Sequence, residues 1–102
     1  VTMVLRPPQQ LQPSQVTNPL DVEILAEKAA SLGHAGEKVE KALARLRAFE
    51  GTPEERRALL KDAAECVYAY FIQRELCGLR RHHEVIREYG IPNEVLVRLG
   101  AK

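Results

Sequence analysis

Ala63-Ala64-Glu65-Cys66-Val67-Tyr68-Ala69-Tyr70-Phe71-Ile72 is the stretch that most constrains this chain: only Glu65 interrupts it, and three aromatics fall within four positions. It lies inside a helical pattern, so its side chains point in every direction around the axis. A helix that is apolar all round has to be covered all round, by other parts of the chain or by a second copy.

The element before it is a long helix with a clear start. Asn18 can cap, Pro19 suits the first helical position, and Asp21 and Glu23 place negative charge where the helix dipole favours it. From there Val22, Leu25, Ala29, Leu32, Gly36, Val39, Leu43 and Leu46 alternate steps of three and four, the seam of a helical hairpin or bundle. Ala29 and Gly36 are its small members, where a partner helix can approach closely. Gly33 and Gly36 each cost about 1 kcal/mol relative to alanine inside a helix, and we expect the helix to run on through both. His34, between them, reads as a surface residue.

The first helix should end at Phe49 or Glu50, with Gly51 in the left-handed closing conformation. Thr52-Pro53-Glu54-Glu55 then supplies an N-cap, a first-turn proline and the glutamate of a capping box. A stop and a start this close force the second helix back along the first. This second helix carries two apolar stripes that do not align. Leu60, Ala63, Val67, Tyr70 and Phe71 should meet the first helix. Ile72, Leu76, Leu79, His83 and Ile86 need another covering surface, unless Gly78 breaks the helix and reorients the residues after it.

At the C-terminal end, Gly90 closes one helix, Pro92 opens another and Gly100 closes that, with Ile91, Val95, Leu96 and Leu99 as its apolar side. A helix of about eight residues does not hold itself together in water, so it should dock on the hairpin, with the second stripe as its expected seat. Residues 1–17, with Pro7, Pro8 and Pro13 among several glutamines, favour an extended arm. Val4, Leu5, Leu11 and Val16 are its candidate anchors, on its own fold, on a neighbouring subunit or on an unidentified protein partner. The expected fold is therefore all-α: a long antiparallel helical hairpin with a short C-terminal helix (18–102) and an extended Pro/Gln-rich N-terminal arm (1–17).

The run Gln73-Arg74-Glu75-Leu76-Cys77-Gly78-Leu79-Arg80, followed by Ile86-Arg87-Glu88-Tyr89-Gly90-Ile91-Pro92 and then Glu94-Val95-Leu96, resembles a family of small bacterial all-helical proteins of unknown function, over Pro19 to the end. The resemblance implies a bacterial, cytoplasmic source. It implies no activity, cofactor or catalytic residue.

The residues themselves narrow the function classes. A formal net charge of +1 gives no bulk attraction to nucleic acid or anionic membrane. Arg74, Arg80, Arg81 and Arg87 alternate with Glu75, Glu84 and Glu88, the pattern of a solvated face with ion pairs. A nucleic-acid-associated regulator is the weakest of the readings, with no motif behind it. No segment approaches the roughly 20 apolar residues of a membrane span, and the first six residues lack the apolar run of a signal peptide. Cys66 and Cys77, eleven residues apart in one helical pattern, stand about 16 Å apart along the axis at 1.5 Å per residue. They read as reduced thiols of a cytosolic protein, with an intersubunit disulfide as the alternative.

No phosphate loop, paired-cysteine zinc spacing, nucleophile elbow or His-Glu-x-x-His motif occurs, and none of the three histidines follows an acid by three residues as in di-iron bundles. Cys77, His82 and His83 remain as weak metal or small-ligand candidates. Adjacent histidines diverge by about 100° on a helix and would need a second chain to complete a site. If no ligand binds there, His83 caps an apolar stripe and His82 is exposed. No cofactor is expected and no catalytic residue is nominated. The leading expectation is a non-catalytic helical interaction or structural protein, forming a homodimer through Val67, Tyr68, Tyr70, Phe71, Ile72 and Leu76. A small-ligand or metal-binding bundle near Cys77, His82 and His83 is the alternative.

Overall fold

The computed structural model describes residues 18–100. The expected arm, 1–17, with its anchors Val4, Leu5, Leu11 and Val16, lies outside the described residues. Among the described residues four helices follow one another: α1 (Pro19–Ala48), α2 (Pro53–Leu76), α3 (His83–Tyr89) and α4 (Asn93–Leu96). The all-α hairpin expected from the sequence is the observed architecture. The molecule is a rod of 63 × 23 × 23 Å.

Local chemistry sets the helix boundaries. The Asn18 carboxamide accepts from the Leu20 N–H at 2.8 Å and opens α1. At the hairpin turn, the Thr52 hydroxyl accepts from the Glu55 N–H at 3.1 Å while the Glu55 carboxylate accepts from the Thr52 N–H at 3.0 Å, a complete capping box. Those hydrogen bonds with Thr52 hold the Glu55 carboxyl below its usual pKa. The expected left-handed closure at Gly51 does not occur: among the described residues, positive φ is confined to Gly78, Gly90 and Gly100, and Phe49 ends α1 in an extended conformation. Glycine at 51 lets two side chains approach the backbone closely instead. A Cβ there would lie 2.5 Å from the Phe49 ring and 2.6 Å from the Glu55 carboxylate.

The seam of α1 is only half used. Gly36, Val39, Leu43 and Leu46 are buried against α2, with Leu32 packed at the edge of the core. Val22 and Ala29, read from the same heptad, are exposed, and Leu25 is half-buried. Length explains Val22 but not Ala29, which lies past the overhang, because α2 has 24 residues against 30 for α1. At 1.5 Å per residue α2 falls about 9 Å short, and the first turns of α1 outreach their partner.

The helix runs unbroken through Gly33 and Gly36, as expected, and the two glycines do different things. A Cβ on Gly36 would sit 2.9 Å from the Tyr89 hydroxyl and 3.5 Å from the Tyr70 ring, so this glycine admits two aromatics to the α1 surface. Gly33 is exposed, and a Cβ added to it would have nothing within 4 Å. Gly33→Ala should therefore return the helix-propensity difference of about 1 kcal/mol with nothing to oppose it. A urea midpoint that rises at constant m checks this; a fall would mean that the helix bends at Gly33 in solution.

The second helix stops before the position at which its two stripes would have continued on one rod. Cys77 caps α2, Gly78 turns with φ of 88°, and the chain reverses into α3. Cys66 and Cys77, read as members of one helix, thus belong to a helix and to its cap, and both are free thiols. Ile86, expected on the second stripe of α2, belongs to α3.

Reversal sends the C-terminal segment back along the hairpin toward the α1–α2 turn, where Ile91 and Val95 bury against the core. Arg47, in the last turn of α1, donates to the Tyr89 and Gly90 carbonyls at 2.7 and 3.1 Å, satisfying the end of α3. Arg56, near the start of α2, forms a two-pronged pair with Glu94 at 3.0 and 2.7 Å. The short C-terminal helix therefore does not seat on Ile72 and Leu76, the expected place, and both stay exposed.

Candidate interaction site

With α2 ended at Leu76, its apolar band has cover on two sides. Val67, Tyr70 and Phe71 point inward and are buried among α1 and the C-terminal segment. Tyr70 packs on Tyr89 of α3 with ring centroids 5.6 Å apart. The third side stays open: Tyr68, Ile72 and Leu76 are 47 %, 40 % and 68 % exposed. Their spacing of four places them in one row along the helix surface. Of the six residues nominated for an interface, three thus lie inside a single chain and three on its surface.

At its upstream end this row enters a cleft of about 660 Å³ between α2 and the segment after α4. Arg57, Lys61, Tyr68 and Arg98 line it, with Glu65 as the one carboxylate and Ala64 on its apolar lining. Arg98 is positioned by donating from Nη1 to the Glu94 carbonyl at 2.9 Å. Gly100, with φ of 75°, brings the backbone to the edge of the Tyr68 ring. The cleft combines an aromatic wall with an excess of positive charge, a surface suited to an acidic, partly apolar partner.

Around the α2–α3 corner the structure reverses two readings. His82, expected to be exposed, stacks on Phe71 with centroids 4.2 Å apart and planes 3° from parallel. Its Nδ1 accepts from Arg74 Nε at 3.1 Å, which puts the ring proton on Nε2, 2.9 Å from the Glu75 carboxylate. His83, expected to cap an apolar stripe, is exposed. Arg74, read with its neighbours as part of a solvated face, also donates to the Arg81 carbonyl at 2.7 Å and lies 5.9 Å from the Tyr70 ring centre. It ties the corner together. No sequence signal marks this role, because it depends on where α2 stops.

Cys77 is half-buried at the α2 cap. His82 spends both ring nitrogens on protein partners, one of them a guanidinium. Among the described residues no group of three or more His, Cys, Asp or Glu side chains is arranged to hold a metal ion. On the other side of the hairpin, Cys66 lines a smaller groove of about 380 Å³ with His34, Lys38 and Asp62. Burial, and then Asp62, push the Cys66 thiol above its usual pKa, the opposite of what activates a nucleophile. No helix among the described residues is long and apolar enough to cross a membrane.

The Tyr70–Tyr89 contact carries a pH signature. Interaction with the Tyr70 side chain, followed by burial, pushes the Tyr89 phenol up to about 12 from an ordinary 10.0. Since the folded form holds this proton more tightly than the unfolded chain, the contribution to stability is full below pH 10 and is lost as pH rises toward 12. Chemical denaturation between those limits should show stability falling, and Tyr89→Phe should flatten that slope. An unchanged slope would place the Tyr89 phenol in water.

A model of the family of unknown function DUF6665 matches residues 4–102. The match extends upstream of Pro19, where the resemblance in the sequence begins, and takes in most of the N-terminal arm. No curated protein and no solved structure matches the chain.

Proposed function

From the premise that this chain belongs to the family of unknown function DUF6665, we propose that it is a non-catalytic helical interaction protein that works as a homodimer. The observation that carries this reading is the exposed row Tyr68, Ile72 and Leu76 beside an otherwise closed core. The dimer surface is narrower than the apolar band suggests, since Val67, Tyr70 and Phe71 are already covered within one chain. Tyrosine and large aliphatic side chains exposed in a row give a desolvated centre, and the flanking arginines give a polar rim. A reducing, cytoplasmic setting fits the two free thiols.

Sedimentation velocity tests the proposal. The protein should move from monomer to dimer as concentration rises through the micromolar range. Ile72→Glu should weaken the dimer by about tenfold or more, with helical circular dichroism unchanged, and with the melting temperature unchanged at concentrations where the wild type is monomeric, because Ile72 is outside the core. A wild-type protein that stays monomeric at about 200 μM, where even a millimolar-range dimer begins to register, would remove the reading.

A further inference from the structure

We infer that the surface received by the α2 row and its cleft is the opening turns of α1, Leu20 to Glu27, from a second copy of this chain. The inference rests on the self-association proposed above and names the two faces that meet.

All but Val97 of the large hydrophobic side chains left strongly exposed among the described residues lie at the start of α1 or on the α2 row. At the start of α1 they are Leu20 and Ile24 on one face and Val22 on the seam face. On α2 they are the row Tyr68, Ile72 and Leu76. The first surface exists because α2 is shorter than α1, so the opening turns of α1 have no helix beside them. Leu20, Glu23, Ile24 and Glu27 follow an i, i+3, i+4, i+7 pattern and share one face, distinct from the seam face of Leu25 and Leu32. That face is apolar and acidic. Lys28, one turn on from Ile24, borders that face with the one basic side chain in these turns.

The receiving surface has the matching chemistry. Arg57 and Lys61 stand one turn apart on α2, in line with Tyr68 and Ile72, and Arg98 reaches the same cleft from the opposite wall. Among the described residues Lys61 has no ion-pair partner, and the nearest carboxylate to Arg57 is Glu54 at 3.8 Å. Glu23 and Glu27 on α1 are likewise one turn apart, so both pairs share the spacing of about 6 Å between i and i+4 positions on a helix. With Glu27 level with Arg57 and Glu23 level with Lys61 in an antiparallel crossing, Leu20 falls one turn from Tyr68 and supplies an apolar contact for its ring. Two α2 rows set parallel and in register would instead bring Arg57 and Lys61 toward their own copies, which like-charge repulsion opposes.

Charge reversal tests the pairing. Glu23→Lys with Glu27→Lys, and separately Arg57→Glu with Lys61→Glu, alter exposed side chains only, and circular dichroism verifies the fold of each variant. Each double variant alone should dimerise about tenfold more weakly than wild type, and an equimolar mixture should recover affinity, because every α1 face then meets a cleft of opposite sign. Raising salt from about 50 to 500 mM should weaken the wild-type dimer and the mixed dimer alike. A wild-type dimer unaffected by either reversal, or two weakened variants that do not rescue each other, overturns this inference and leaves self-association through another face. A wild-type monomer removes both. Loss of dimerisation in Ile72→Glu together with intact dimerisation in the charge variants identifies two apposed α2 rows as the interface instead.

Discussion

Truncating Leu43 to alanine is expected to lower the free energy of unfolding by about 3 kcal/mol, most of it from lost burial and the cavity left behind. Leu43 is 1 % exposed and sits in the middle of the α1–α2 contact, between Val39 and Leu46 on one helix and the alanine-rich face of α2 on the other. A domain of this size has a net stability of about 5–15 kcal/mol, so the loss should move the melting temperature by roughly 15 °C. The control is Val22→Ala. Val22 belongs to the same heptad as Leu43 but is exposed, and its truncation should stay within about 0.5 kcal/mol. Urea denaturation of the two variants therefore measures where the hairpin ends. Equal losses would mean that the first turns of α1 have a partner within the monomer that the described residues do not supply.

The contrast between Leu43 and Val22 also marks how far the sequence could be read. A heptad states which side of a helix seeks cover, and it stated this correctly from Leu32 to Leu46. It says nothing about how long the partner is. That length was fixed at Gly78, a glycine whose left-handed turn could be proposed but not chosen from pattern alone, since a helical reading through Cys77 to Ile86 keeps a respectable apolar stripe. Caps were legible because they depend on adjacent residues. Asn18-Pro19, Thr52-Pro53 with Glu55, and Gly90 all act within a few positions of themselves. Gly51 misled because the same residue type serves φ freedom in one place and close approach in another, and only the position of the Phe49 ring distinguishes them.

For the candidate site, the residue types were legible and their allocation was not. Tyr68, Tyr70 and Phe71 were recognisable as a band needing cover. Which of them faces the core depends on the angle at which the C-terminal segment returns, and that angle is set by long-range ties: Arg47 to the Tyr89 and Gly90 carbonyls, and Arg56 to Glu94. Such pairs join positions some forty residues apart and leave no periodic trace. The cleft that Arg57, Lys61 and Arg98 share arises from the same return of the chain.

His82→Ala is expected to cost about 2 kcal/mol, drawn from the lost ring stacking and the lost hydrogen bonds to Arg74 and Glu75, while His83→Ala should stay within about 0.5 kcal/mol. The two histidines are neighbours of identical composition, so the difference isolates position. His82 lies flat on Phe71 and shields the last buried residue of the α2 core, and its Nδ1 gives Arg74 a partner that no other side chain supplies. Removing the ring wets Phe71 and frees Arg74, so the connection over residues 77–82 should open more often. Amide exchange there and at the start of α3 should accelerate, while exchange at Leu43 and Val39 slows or quickens only with global stability. The arginine separates the contributions: Arg74→Lys keeps a charge over Tyr70 but loses the planar fork that reaches both His82 and the Arg81 carbonyl, so it should reproduce most of the His82→Ala loss. Matching losses for the two histidines would mean that the corner is held by chain connectivity alone, with His82 turning freely in solvent.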